Sequence, residues 1–165
     1  MKRGEIVAEE LKGIKNQQLV SFKIGSEEFG INIMKVQEII RMQEITKVPQ
    51  MPHFIEGIIN LRGNVIPIID LRKKFGMPII EITNESRVIV VSVLDRIMGI
   101  IVDGVSEVLR LNDEQLQPPP PIISNIGREY IKGVGKLDEK RLLILLDIDK
   151  VLSEKEHQMI GEHIN

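Results

Sequence analysis

The feature that most constrains this chain is an internal repeat. Two segments, Phe54–Lys73 and Tyr130–Lys150, each hold two short apolar runs around a polar turn. In the first segment, the turn Arg62-Gly63-Asn64 joins Ile55–Leu61 to Val65–Ile69. Gly and Asn accept a positive φ at low cost, so this segment is predicted to be a β-hairpin with Arg62 at its tip.

A second, ungapped repeat relates Leu19–Arg41 to Val88–Arg110, so the repeated segments follow one another in the order A-B-A′-B′. Each unit is predicted to contain three strands, a connection and a two-stranded hairpin, and five short antiparallel strands close most simply as a small barrel. Shared glycines lie inside the predicted strands, where they mark bends, bulges or close backbone approach. The matched pairs include Gly30/Gly99, Val36/Val105, Glu38/Glu107, Gly57/Gly133 and Leu61/Leu137.

These repeats predict barrels at about 17–80 and 86–150, and an exchange of strands between the two is left open. Residues 1–16 are expected to be a flexible arm or a frayed helix. Residues 149–165 are expected to be a C-terminal helix that starts at Asp147 or Asp149. Asp70 is expected to cap a short turn that Gly76 ends. Pro67 removes a ladder donor, which predicts an edge or bulged strand.

Composition excludes several functional classes. The chain has 165 residues, of which 42% are hydrophobic and 28% charged, as in an ordinary globular protein. The net charge is −2 and there is no basic block, which argues against nucleic-acid binding. There is no Cys, no apolar core of a signal peptide and no apolar run long enough to cross a bilayer. We therefore expect a cytoplasmic protein with no direct membrane insertion.

The sequence holds no recognisable catalytic or metal-binding pattern. Its His residues, His53, His157 and His163, lack metal-ligand spacing. Asp70 and Asp147 occupy equivalent capping positions in the two units, which fits a structural role better than a catalytic pair. We therefore expect no enzyme activity and no cofactor. A ligand-binding module with a pocket between the barrels is the alternative.

Four segments resemble the CheW-type coupling proteins of bacterial chemotaxis: QLVSFKIGSEEFGINIMKVQEII, FIEGIINLRGNVIPIIDLRKKFG, GIIVDGVSEVL and YIKGVGKLDEKRLLILLDIDKVL. The resemblance spans about Gln18 to Leu152. It implies an all-β fold of two SH3-like five-stranded β-barrel subdomains packed side by side, with a C-terminal helix. It also implies a non-catalytic adaptor that joins the cytoplasmic tip of methyl-accepting chemoreceptors to the regulatory domain of the chemotaxis histidine kinase, within membrane receptor arrays.

The resemblance also implies contact residues for both partners. The receptor-binding residues would be Val36, Arg62, Val105, Val108 and Gly133, and the kinase-binding residues would be Glu38, Ile39, Glu56 and Ile122. The residue types themselves leave alternatives open. Arg62 is either a solvated charge on a hairpin tip or a partner contact, for which its planar donor group is suited. Three apolar residues of another segment, Val36, Ile39 and Ile40, cannot all face one side of a strand, so at least one should be exposed.

The segment Gln117–Ser124 contains four consecutive prolines, Pro118–Pro121. Such a run cannot be a central strand or a helix, so it is expected to lie extended on the surface. It would serve as a plain connector or as a ligand for a separate domain, and the resemblance implies a kinase contact at Ile122.

Overall fold

The computed structural model of this chain describes residues 18–79, 81–121 and 129–164. The predicted arm at 1–16 and the predicted contact Ile122 lie outside these residues. The described residues form two separate β-sheets. The strands are β1 (Gln18–Ile24), β2 (Glu27–Asn32), β3 (Val36–Arg41), β4 (Ile55–Leu61), β5 (Asn64–Asp70), β6 (Arg87–Val93), β7 (Arg96–Val102), β8 (Gly104–Arg110), β9 (Leu116–Gln117), β10 (Ile131–Lys136) and β11 (Leu142–Leu146). The helices are α1 (Leu71–Phe75) and α2 (Glu154–Ile164).

The first compact unit, called unit 1, joins the chain up to Met34 to Val105–Val151. Its six-stranded sheet has the order β8-β1-β2-β11-β10-β9. Strands β2 and β11 run parallel, whereas β1–β2 and β10–β11 are antiparallel hairpin pairs. Alternate apolar side chains of these strands form a buried cluster of Leu19, Leu111, Leu143 and Leu145.

The second compact unit, called unit 2, joins Lys35–Gly104 to the C-terminal segment that begins at Leu152. Its five-stranded sheet has the order β3-β6-β7-β5-β4, and its parallel pair is β5–β7. The long aliphatic runs of these strands supply its core because β-branched residues pack well on a pleated surface. That core contains Ile59, Leu61, Ile66, Ile68, Val88, Val90 and Ile101.

The two sheets share one topology. By the sequence repeat, β1 corresponds to β6, β2 to β7, β8 to β3, β11 to β5 and β10 to β4. When each strand of unit 1 except β9 is replaced by its counterpart, the strand order of unit 1 becomes that of unit 2. Each unit therefore takes strands from both copies of the repeat, so neither compact unit coincides with the contiguous ranges 17–80 and 86–150. The all-β prediction of two small SH3-like barrels with a C-terminal helix is confirmed.

The glycines shared by the repeats mark close approach at the parallel pair of each unit. Gly99 lies opposite Ile68 in the β5–β7 pair, and Gly30 lies opposite Leu145 in the β2–β11 pair. A Cβ atom added at Gly99 would lie 2.6 Å from Ile68 Cδ1. The small residue lets the large side chain of the neighbouring strand fold across it, as expected for glycine inside a strand.

A backbone bridge joins the two edge strands of unit 2 into a barrel. The chain leaving β3 returns alongside β4, where Thr46 N donates to Ile58 O at 2.9 Å and Ile58 N donates to Thr46 O at 2.8 Å. Gly57 makes this approach possible: its φ is +150°, and a Cβ there would lie 2.8 Å from the Thr46 carbonyl carbon and closer still to the Thr46 oxygen. We call this contact between Thr46 and β4 the seam of unit 2.

Two local predictions differ from the structure, and a third is confirmed. Pro67 is in neither an edge strand nor a bulged one: β5 lies between β4 and β7, and the register shift of the β4–β5 pair falls between Ile55 and Gly57 of β4. The pairing with β7 begins only at Ile68, however, so the missing donor of Pro67 falls before this ladder starts. The predicted loop after β8 contains the two-residue strand β9, which is too short to show alternation. The expected cap of Leu71–Phe75 is confirmed, with Asp70 accepting from Arg72 N at 2.9 Å and Gly76 at φ +71°.

The C-terminal helix begins later than predicted. Asp147 caps only a 3-10 turn, Ile148–Lys150, and α2 starts at Glu154. The start is defined by a reciprocal capping box, in which Glu156 N donates to Ser153 Oγ at 3.1 Å and Ser153 N donates to Glu156 Oε1 at 2.7 Å. Lys74 of α1 holds the same carboxylate at 2.8 Å, which fastens α2 to unit 2. No helix in the described ranges is long and apolar enough to cross a membrane.

Candidate functional site

Arg62 occupies the tip of the β4–β5 hairpin, as the sequence predicted. Leu61 pairs with Asn64, so the turn has two residues, Arg62 and Gly63, with φ values of 50° and 87°. Positive φ at both positions is typical of a type I′ turn, whose twist matches that of the flanking strands. Asn60 Oδ1 accepts a hydrogen bond from Gly63 N at 2.8 Å, which holds the turn in place.

The Arg62 side chain crosses to β3 and binds Glu38. Its Nη1 donates to Glu38 Oε1 at 3.0 Å, and its Nη2 pairs with Oε2, so the contact is bidentate. The hydrogen bond from Arg62 lowers the pKa of Glu38, and that same bond to Glu38 raises the pKa of Arg62. The Arg62 side chain nevertheless remains 67% exposed, so it can still contact another molecule. The pair links edge strand β3 to the turn between β4 and β5, in the same unit as the seam.

The β3 strand presents an apolar residue beside this ion pair. Its residues alternate between half-buried and exposed, and Ile40 packs on the core of unit 2. Ile39 faces the other way and is 42% exposed, which meets the expectation that one of the three apolar residues would be exposed. Val36 is half-buried at the start of β3, where the register against β6 shifts between Val36 and Glu38.

Glu56 is half-buried near the start of β4 and is already paired within unit 2. Its carboxylate forms an ion pair with Lys73 of α1. The capped turn built by Asp70 and Gly76 fixes the position of this lysine. The structure therefore places Glu56 in an intramolecular ion pair, in the same unit as Glu38, Ile39, Val36 and Arg62.

The remaining described residues predicted to contact the receptor belong to unit 1. Val108 of β8 is 53% exposed, Val105 is half-buried, and Gly133 is buried at a bulge of β10. Ser21 Oγ accepts from Glu107 N at 3.2 Å, which holds β8 against β1. Exposure of Val108 on an outer strand makes it an available apolar contact.

Sequence reasoning missed an ion pair in unit 1. Arg141 Nη2 lies 3.1 Å from both carboxylate oxygens of Glu28 and 3.7 Å from Glu107 Oε1. The hydrogen bond with Glu28 raises the pKa of Arg141. Asp138, the repeat counterpart of Arg62, accepts the backbone N–H groups of Lys140 and Arg141 in the preceding turn. The parallel pairing of β2 with β11 creates this contact, and no local sequence signal predicts it.

Comparison with known proteins assigns the family. The family model described as the CheW-like domain matches residues 18–156 of this chain.

The chain belongs to the CheW-like family.

Its similarity to named chemotaxis proteins covers most of its length. It is 44% identical to the chemotaxis protein CheW of Klebsiella aerogenes over 87% of this chain and 86% of that protein. It is 42% identical to the chemotaxis protein CheW of Treponema pallidum, with the same coverage. The crystal structure of the scaffolding protein TtCheW from Thermoanaerobacter tengcongensis superposes with a TM-score of 0.77 at 36% identity, covering 85% of this chain and 90% of that one. This CheW-like chain is thus a non-catalytic coupling adaptor of bacterial chemotaxis.

Proposed function

We propose that this chain couples the cytoplasmic tip of methyl-accepting chemoreceptors to the regulatory domain of the chemotaxis histidine kinase within receptor arrays. The receptor would contact Val36 and Arg62 in unit 2 and Val105, Val108 and Gly133 in unit 1. The kinase would contact Glu38, Ile39 and Glu56, and also Ile122. The membrane association of the protein would then follow from its receptor partner.

The observation that carries this proposal is the Arg62–Glu38 ion pair. It joins a residue expected to contact the receptor to one expected to contact the kinase, by linking β3 to the β4–β5 turn of one barrel. Arg62 is largely exposed and presents donors in a planar fork that suits carboxylates on a partner. A receptor carboxylate that competes for Arg62 would weaken its hold on Glu38, which lies next to Ile39.

This arrangement supplies a signalling mechanism that involves no catalysed reaction. A ligand shifts a conformational equilibrium only when it binds one state better than the other. Receptor states that engage Arg62 differently would leave Glu38 paired or unpaired, and the kinase would meet a different surface on β3 in each case. The adaptor would thereby pass on a change in receptor structure as a change in its contacts with the kinase.

The test is whether substitutions can weaken binding to one partner without weakening binding to the other. Labelled protein is titrated with a soluble helical hairpin from a receptor tip and, separately, with the kinase regulatory domain. Val108→Asp should weaken receptor binding and spare kinase binding, because Val108 is exposed and lies in unit 1, apart from Glu38; Ile39→Asp should do the reverse. Ile79→Ser serves as the control, because Ile79 is an exposed apolar residue outside both proposed surfaces. Loss of both affinities in one variant with unchanged stability would refute the separate surfaces.

A further inference from the structure

The tip of the β6–β7 hairpin combines backbone strain with an exposed apolar side chain. Val93 pairs with Arg96, which leaves the two-residue turn Leu94–Asp95, and both residues have a positive φ, of 49° and 65°. A left-handed backbone is unfavourable for residues with a Cβ, and Asp tolerates it better than Leu. The Leu94 side chain is 63% exposed, so burial recovers little of that cost.

The internal repeat provides a comparison within the same molecule. The ungapped repeat aligns Leu94 with Gly25, which occupies the first position of the two-residue turn between β1 and β2. Gly25 has a φ of 64°, so both hairpins need a positive φ at this position. The fold thus accepts glycine here, and unit 2 carries a large apolar residue instead. A strained residue that contributes little to packing is a candidate for function.

Strand directions place this tip beside residues already assigned to the receptor. In unit 2, β6 is antiparallel to β7, β7 is parallel to β5, and β5 is antiparallel to β4. The β6–β7 turn and the β4–β5 turn therefore lie at the same end of the sheet. Strand β3 is antiparallel to β6, so it begins at that end, with Val36 opposite Val91. Leu94, Arg62 and Val36 thus share one end of unit 2.

We propose that Leu94 is a further receptor-contact residue, which inserts its side chain between apolar residues on the helical hairpin of the receptor tip. This inference rests on the proposed function, because it uses Arg62 and Val36 to identify the partner. Leu has no polar group, so its binding site must be apolar, and the spaces between side chains on a helix surface accept such a knob. An apolar anchor beside an exposed arginine is also a common composition of protein interfaces.

The decisive variant is Leu94→Gly, because it should act on folding and on binding in opposite directions. Glycine fits the positive φ, so the Tm should stay at the wild-type value or rise by up to about 4 °C. Removal of the apolar contact should weaken the affinity for a receptor-tip hairpin by about tenfold. Ile79→Gly is the matched control: Ile79 is 72% exposed but follows α1, beyond the opposite end of β5, and its loss should leave receptor affinity unchanged.

The outcomes distinguish a failure of this inference from a failure of the proposed function. If wild-type protein binds the receptor hairpin and Arg62→Glu weakens that binding, but Leu94→Gly does not, the inference about Leu94 is wrong and the proposed function stands. If Leu94→Gly weakens binding of the kinase regulatory domain instead, Leu94 is a kinase contact and the inference is overturned. If wild-type protein fails to bind the receptor hairpin, both fail.

Discussion

Replacement of Gly57 by alanine should damage unit 2 far more than the addition of one methyl group to a strand usually does. The added Cβ would lie 2.8 Å from the Thr46 carbonyl carbon and from Ile45 Cγ2, and closer to the Thr46 oxygen. Thr46 offers backbone atoms, which cannot rotate away as a side chain does. The Thr46 segment must therefore retreat by more than the roughly 0.6 Å that would restore an ordinary 3.4 Å contact with its carbonyl carbon, because the Thr46 oxygen is closer still.

The magnitude follows from what this retreat disrupts. It separates Thr46 from Ile58, which breaks two backbone hydrogen bonds worth about 1 kcal/mol each. The φ of +150° at Gly57 adds a strain of about 1–3 kcal/mol for any other residue. The expected loss is therefore about 3–5 kcal/mol of unfolding free energy, a large part of the stability of an ordinary domain.

Urea denaturation followed by circular dichroism measures this loss directly, and the Tm should fall by about 10 °C. Gly76→Ala is the matched control, because Gly76 has a φ of 71° but no atom within 4 Å of its added Cβ. The control should cost only about 1 kcal/mol, from backbone strain alone. If Gly57→Ala costs no more than Gly76→Ala, the seam does not require close backbone approach at Gly57.

Two further predictions concern ion pairs. The exposed Arg62–Glu38 pair should contribute little to stability, so the Arg62→Glu variant should melt near the wild-type temperature. The double exchange Arg62→Glu with Glu38→Arg should restore the ion pair but not the receptor affinity. Recovery of that affinity in a receptor titration would show that only the ion pair matters. Burial raises the pKa of Glu156, but hydrogen bonds from Lys74 and Ser153 outweigh it and lower the pKa below the ordinary 4.5. The contribution of Glu156 to stability should therefore be complete above pH 4.5 and be lost as the pH falls through the lower pKa of the folded state. The difference in urea stability between wild type and Glu156→Gln should then shrink on acidification. A difference that stays constant with pH would contradict this prediction.

Local signals predicted the elements whose causes are local. The Gly63-Asn64 turn signal located the β4–β5 hairpin, and the Asp70 and Gly76 pair located α1. The predicted start of α2 at Asp147 or Asp149 was wrong, because Asp147 caps only a 3-10 turn and the capping box of Ser153 and Glu156 defines the start of the helix. A local capping signal was therefore assigned to the wrong element.

Long-range arrangements were beyond sequence reasoning for a physical reason. The repeat establishes which strands are equivalent, but equivalent strands have the same sequence pattern. Nothing local therefore decides which of the two equivalent strands, β3 and β8, joins which barrel. The Arg62–Glu38 contact arises because the barrel closes, not because of their spacing.

The proposed coupling requires that one chain hold two partners at once on different surfaces. Sedimentation velocity on a mixture of the chain, a receptor-tip hairpin and the kinase regulatory domain tests this requirement. We expect a ternary complex whose mass contains all three components and which loses only the receptor hairpin with Val108→Asp. If saturating receptor hairpin instead displaces the kinase domain from the chain, the two partners share one surface and the proposed coupling is contradicted.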